Sequence, residues 1–227
     1  MVFDLNALQR LEDRLSAPDG IEIGDLQRRL ESAFADERDA KDVNDYRVAT
    51  RRWKKLKEEV CPVSAFLSFI GAGGSARFPL DSLVPDAWYT PVGEEPVGIE
   101  VTLALGRTSY ELGREMVRDG VGRGFLGLQD NASKDDFDRA LQRPRVMYNT
   151  RQALDTVGTG IRRCLEAKND CKYQGMWLLV LAPLGILPRE RWEAIESDLR
   201  QYAAPMPFDQ IHVFDGRGQS ARGFQIK

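Results

Sequence analysis

One histidine and three cysteines in 227 residues remove most of the familiar catalytic sets at once. His212 sits in the apolar alternation Ile211-His-Val-Phe214, the setting of a strand residue. A multi-histidine zinc site is therefore excluded, and Ser-His-Asp or Cys-His catalysis lacks its usual base. Cys61, Cys164 and Cys171 are odd in number and show no Cys-x-x-Cys pairing, which argues against a disulfide framework and for a reducing, cytoplasmic setting. No run of 18 apolar residues exists, and no basic segment leads into an apolar one at the start, so neither a membrane span nor a secretory signal is expected. An excess of positive charge is missing too: 32 Lys and Arg against 35 Asp and Glu give a net charge of −3. A face for nucleic acid would have to be local. What chemistry remains open runs on carboxylates, lysines and a hard metal ion.

What is present is an ordinary globular composition, 42% apolar and 30% charged, enough to bury a sizeable core at this length. Residues 1–60 read as a helical N-terminal portion. Leu5, Leu8, Leu11 and Leu15 fall at helical steps, with Asp4 or Asn6 as a cap, and Pro18-Asp-Gly20 breaks the run. Leu26, Leu30 and Phe34 resume it. A further helix is predicted from Tyr46 to Glu59, ended by Pro62. From residue 61 to 227 the pattern changes to α/β. Ala65–Ile70 ends that helix or forms a strand, and Asp86–Val92 and Val97–Leu105 form an antiparallel hairpin. Helices follow over Thr108–Asp119 and before Pro144, with Phe125–Leu128 as a possible strand between them. A long helix spans Arg151–Lys172, capped by Asn149 or Thr150; Met176–Ala182 reads as a buried strand, Pro188 opens a helix, and Phe208–Asp215 is a last strand. The tail from Gly216 reads as loose. The expected architecture is a mixed central sheet flanked by helices.

Gly71-Ala-Gly-Gly-Ser-Ala76 matches the dinucleotide pattern Gly-x-Gly-x-x-Ala, but that pattern works only when a helix begins at once and holds the pyrophosphate on its N-terminus. Arg77-Phe-Pro79 and Val84-Pro85 forbid such a helix, so the segment reads as a turn. No Gly-x-x-x-x-Gly-Lys-Ser/Thr sequence occurs either, which excludes a P-loop.

The informative segment is Val84-Pro-Asp86, followed fourteen positions later by Glu100 within Ile99-Glu-Val-Thr102. Neighbours on adjacent strands lie about 5 Å apart on one face, within reach of one shared cation. Two carboxylates with a main-chain carbonyl, here that of Val101, suit Mg²⁺ or Mn²⁺. Such an ion acidifies a water and stabilises the charge of phosphodiester cleavage. An acid inside so apolar a strand is costly unless paired or metal-bound. The alternative is that Glu100 faces solvent with Thr102 while Ile99, Val101 and Leu103 face the core.

Pro85-Asp86, a hairpin of about this length and Glu100-Val-Thr102 resemble the PD-(D/E)XK nuclease superfamily, over roughly Glu58 to Asp215. The resemblance implies a restriction-endonuclease-like core, with Asp86 and Glu100 as metal ligands and Glu58 or Glu59 on the preceding helix as an additional acid. It implies Mg²⁺-dependent hydrolysis of DNA, in a protein that acts alone, as a homodimer or with a protein partner. The departure is the lysine of the motif, whose place Thr102 takes.

A replacement is available on the helix from Arg151. Leu154, Val157, Ile161 and Cys164 mark its apolar stripe; Lys168 lies four residues beyond Cys164, and Lys172 one turn later. Both either approach the acidic pair or favour the helix C-terminus and reach water. Arg51, Arg52, Lys54, Lys55 and Lys57 form a basic cluster that is either a solvated face or a contact for backbone phosphates. Trp53, Trp88, Trp177 and Trp192 read as packing residues, although Trp88 and Tyr89 stand beside Asp86 where an unpaired base could stack. Arg143 and Arg145, around Pro144, belong to a solvated loop. Two functions follow: a metal-dependent endonuclease, or a nuclease-like module without chemistry that acts in protein or nucleic-acid interaction.

Overall fold

Leucines at three- and four-residue steps fold the start of the chain. Leu8, Leu11 and Leu15 are buried along α1 (Leu5–Ser16), and Leu26 and Leu30 along α2 (Ile23–Ala35). The computed structural model describes residues 5–35, 40–120, 124–143, 147–216 and 221–227, with the backbone alone at Leu5, Arg51 and Arg52; Asp4 and Arg145 therefore lie outside the described residues. Between the two helices, Gly20 takes a left-handed φ of 67°, and the short strand β1 (Ile21–Glu22) leaves the turn.

The helix expected over Tyr46–Glu59 is divided: α3 (Ala40–Arg47), α4 (Arg51–Lys55), a π turn (Leu56–Val60) and α5 (Cys61–Phe69). Pro62 does not end the path. It follows the π turn on a continuous helical path, where the Cys61 N–H bonds the Leu56 carbonyl, and the wider turn accommodates a residue without an N–H. Ala65–Ile70 is accordingly helical rather than a strand, with Val63, Phe66 and Leu67 buried at helical spacing.

The sheet continues with β2 (Ser75–Arg77), β3 (Ala87–Thr90) and β4 (Val97–Leu103). After α6 (Gly106–Asp119), α7 (Lys134–Gln142) and α8 (Thr150–Ala167) come β5 (Trp177–Leu181), α9 (Arg189–Ala203), β6 (Gln210–Asp215) and β7 (Arg222–Gln225). Seven strands lie in the order β1-β2-β3-β4-β5-β6-β7. β1 to β4 run antiparallel to their neighbours, β4, β5 and β6 are parallel, and β7 is antiparallel to β6. The molecule is thus a mixed α/β protein with helices on both faces of one sheet. The first 60 residues contribute β1 to that sheet.

Three further expectations are corrected. Phe125–Leu128 forms no strand, because Gly127 turns left-handed at φ 70° and Tyr148 Oη donates to the Leu126 carbonyl. The end of the tail is not loose: β7 covers the outer edge of β6, which otherwise would expose unpaired backbone groups, while residues 217–220 lie outside the described residues. The long helix stops at Ala167, with Lys168 as its C-cap, and Asp170 then accepts from the Lys172 N–H to form a separate 3-10 turn (Cys171–Tyr173). Its start is as expected, since Asn149 and Gln152 form a reciprocal capping box.

Strand alternation distributes side chains between two cores. Ile99, Val101 and Leu179 meet α1, α2 and α5 on one face. Leu178 and Val180 meet α8 and α9 on the other. In the β4–β5 register Glu100 pairs with Leu178 and Thr102 with Val180. Glu100 and Thr102 therefore project towards α8, not into solvent.

Candidate active site

The hairpin register runs Tyr89–Val97, Trp88–Gly98, Ala87–Ile99, and one more step sets Asp86 opposite Glu100. β3 begins only at Ala87, so beyond Ile99 the edge of β4 has a side chain for a neighbour. Asp86 Oδ2 accepts the Val101 N–H at 2.9 Å. A strand residue points its N–H and C=O towards the same side, so the Val101 carbonyl faces this same gap. Pro85 fixes the approach. A Cβ on Gly98 would lie 3.0 Å from Pro85 Cγ and 3.2 Å from Met176 Cγ, tighter than most Cβ contacts, so that the neighbours would have to give way. Gly98 lets the proline ring lie on the strand and hold Asp86 one step further on.

Glu100 is 4% exposed. Its Oε1 lies 2.5 Å from Lys168 Nζ, and its Oε2 is buried with no partner among the described residues. Burial pushes the Glu100 pKa up; the Lys168 hydrogen bond opposes this and the Asp86 charge adds to it. Burial disfavours the Lys168 ammonium, but Glu100 outweighs it and raises the Lys168 pKa. Lys168 Nζ also stands 5.3 Å from the Tyr173 ring. Asp86 is likewise raised by burial, against the pull of the Val101 N–H, Lys55 and Lys168.

The two candidates for an additional acid separate. Glu59 Oε1 accepts from Lys55 Nζ at 2.6 Å, while its Oε2 is buried without a partner among the described residues. Burial, eased by Lys55 and reinforced by Asp86, takes its pKa to about 7. Glu58 instead lines a largely apolar cavity of about 350 Å³ at the carboxyl ends of β4, β5 and β6, with Leu103, Leu181 and Phe214. Lys172 is also set apart. The break after Ala167 puts it over the Tyr173 ring at 4.9 Å, from where its charge lowers the Glu100 pKa without a direct bond.

The described side chains of the basic cluster have different surroundings. Lys54 is exposed, Lys55 is held by Glu59, and Lys57 donates to the Arg47 carbonyl at 2.6 Å and stands over Tyr46; the side chains of Arg51 and Arg52 lie outside the description. Tyr89 is buried, with its hydroxyl donating to the Gly73 carbonyl, which removes it as a stacking platform. Trp53 and Trp192 are buried packing residues, while Trp88 is half-buried. His212 lies in β6 beside Phe66 and Trp177, and burial takes its pKa down to about 4, so it is neutral at pH 7.

Among the described residues no three His, Cys, Asp or Glu side chains form a ready-made metal cage. The donor set at the gap is the Asp86 carboxylate just before β3, the Glu100 carboxylate in β4 and a carbonyl, with one orphaned buried oxygen. That set fits Mg²⁺, which binds one or two carboxylates and keeps several waters. Sequence reasoning missed Gly98, whose role depends on a contact across the fold with the Pro85 ring; no signal in the sequence marks it. Comparison of the chain with protein-family models, curated proteins and solved structures finds no match in any of the three.

Proposed function

We propose that this chain is a Mg²⁺- or Mn²⁺-dependent nuclease of the PD-(D/E)XK type that hydrolyses phosphodiester bonds in DNA. Asp86, Glu100 and the Val101 carbonyl would hold the ion, and Lys168 would serve as the cation that Thr102 cannot be. The observation that carries this reading is the state of Glu100. A carboxylate 4% exposed, clasped on one oxygen by a lysine 68 positions away and orphaned on the other, is expensive for a fold that gains nothing from it. The order α5, then β2, β3 and β4 antiparallel, then α8 and the parallel β5 supports the same reading.

A bound divalent ion would supply Lewis-acid polarisation of a phosphate oxygen and an acidified water. The protein's own groups have separable tasks. Lys168 orients Glu100 and offsets its charge. The Val101 N–H holds one Asp86 oxygen and leaves the other to turn into the gap. Glu59, with its pKa at about 7, is half protonated at neutral pH and limits the negative charge crowded around Asp86.

The test is cleavage of supercoiled plasmid and of single-stranded DNA in Mg²⁺, Mn²⁺ or EDTA. The wild type is expected to cut only with metal, and Asp86→Ala and Glu100→Ala to cut in neither. Cleavage that survives in both variants removes the site. Absence of cleavage in every case replaces the nuclease with a non-catalytic interaction module.

A further inference from the structure

A groove of about 390 Å³ lies along α8, over the strand that carries Glu100. Its lining includes Thr102, Gln129, Asp130, Asn131, Arg163 and Cys164. Thr102 is two residues beyond Glu100 on the same face of β4, about 7 Å along the strand. Arg163 is five residues before Lys168, about 7.5 Å along the α8 axis. The groove therefore lies within about 7–8 Å of the positions of Glu100 and Lys168 along their elements, between α8 and the loop of residues 129–131.

Two cations, Arg163 in the lining of the groove and Arg107 bonded to the loop of residues 130–132 beside it, are held by neutral groups. Arg163 Nη1 donates to the Asn131 and Gln129 side-chain carbonyls, and it makes no ion pair among the described residues. Gln129 is pinned in turn by its Nε2, which donates to the Thr156 carbonyl at 2.7 Å. Arg107 Nη1 donates to the Ala132 carbonyl at 2.6 Å and to the Asp130 carbonyl at 3.4 Å, with its guanidinium 4.1 Å from the Phe137 ring centre. Amide and carbonyl oxygens orient a guanidinium without cancelling its charge. The one carboxylate of the lining is turned away from that role: Asp130 Oδ2 and Oδ1 accept the Gly106 and Arg107 backbone N–H groups at 3.0 and 2.9 Å, at the start of α6. Other cations of this chain meet carboxylates, as Arg29 does Asp25 and Arg200 does Glu196, or main-chain carbonyls, as Lys57 and Arg222 do; Arg163 is held by two side-chain amides. An exposed arginine held in place and left charged is arranged to receive an anion.

We propose that this groove holds the phosphate backbone of a single nucleic-acid strand at the Asp86–Glu100 site, with Arg163 as its principal phosphate contact and Arg107 as a second. The proposal rests on the nuclease reading and gives it a substrate form. The groove, about 390 Å³ and near the small end of ligand-site volumes, is of a size for the backbone of one strand rather than for a duplex. It also moves the phosphate contacts from the α4 cluster to α8.

The experiment is fluorescence anisotropy of a labelled single-stranded oligonucleotide in EDTA over a series of salt concentrations, with unlabelled duplex as competitor. Arg163→Ala is expected to weaken binding about tenfold and to reduce the slope of log affinity against log salt by about 0.7, the share of one phosphate on a single strand. Arg163→Lys keeps the charge and hence the slope. Asn131→Ala, which loosens the arginine without removing it, also keeps the slope, and a thermal melt of each variant checks that it folds. Duplex is expected to compete poorly. No binding by the wild type, unchanged binding by folded Arg163→Ala, equal slope loss in Arg163→Ala and Arg163→Lys, or preferential binding of duplex would each overturn the proposal. Because binding is read without metal, Arg163-dependent binding by a chain that never cuts sinks the nuclease reading alone. Metal-dependent cutting with Arg163-independent binding sinks the groove alone.

Discussion

Two lysine–carboxylate pairs flank Asp86, and they differ in how they are made. Lys55 and Glu59 are four residues apart on one helical path, 2.6 Å between charged atoms. Lys168 and Glu100 are brought from a helix end and a central strand to 2.5 Å. Each leaves one carboxylate oxygen buried without a partner among the described residues. The local pair is more open, with side-chain exposures of 31% and 13% against 22% and 6%. Local spacing produces a pair that water can still reach, whereas the tertiary pair is enclosed by the sheet and α8. The enclosed pair is therefore the one in which a charge is strongly dependent on its partner, and the one suited to presenting a fixed oxygen to an ion.

The comparison breaks first on stability. Lys168→Met leaves the Glu100 carboxylate buried and alone, and is expected to cost about 3–5 kcal/mol at pH 8. Lys55→Met is expected to cost about 1 kcal/mol or less, as exposed pairs do. Urea unfolding of both variants tests this; equal losses would erase the distinction. On activity, Glu100→Gln keeps shape and removes the charge, and should lower metal-dependent cleavage at least about a hundredfold, as expected when several kcal/mol of charge stabilisation are lost. Glu59→Gln should lower it less than about tenfold. Gel-based cleavage rates decide between them.

Acid–base behaviour sharpens the contrast. The Glu59 pKa rises from 4.5 unfolded to about 7 folded, so the folded state binds more protons between those values. Its contribution to stability is therefore fully present below pH 4.5 and is lost as pH rises through 7. The raised pKa values of Asp86 and Glu100 act with the same sign. Glu59→Gln should match the wild type at pH 5 and exceed it by about 1–3 kcal/mol at pH 8; denaturant midpoints at both pH values measure it, and a larger gain at pH 5 would contradict it. Gly98→Ala acts through packing alone. Crowding of Pro85 should cost about 1–2 kcal/mol and, by displacing Asp86, weaken metal binding while the Lys168–Glu100 contact stays intact.

Much of this architecture could be read from residue order, and the failures share a cause. Periodicity located the hairpin, β5, α9 and β6, because alternating and helical patterns reflect burial directly. Pro62 misled because a proline stops a helix only when its N–H is needed, and the π turn before it removed that need. The break at Lys168 was hidden because a cap by Asp170 depends on three residues that also suit a helix C-terminus. Asp86, Glu100 and Lys168 stood out as chemically unusual residues in their segments. That Lys168 and not Lys172 meets Glu100, and that Glu59 and not Glu58 turns towards Asp86, is a matter of tertiary packing. Gly98 and Arg163 were silent because each matters only through a contact across the fold, with Pro85 in one case and Asn131 in the other.

The most direct test of the account is calorimetric titration of the purified chain with Mn²⁺ at pH 7.5. The account predicts saturable metal binding, weakened more than about tenfold in both Asp86→Asn and Glu100→Gln and unaltered in Lys172→Ala. A wild type that takes up no Mn²⁺, or one whose affinity is indifferent to Asp86 and Glu100, would contradict it.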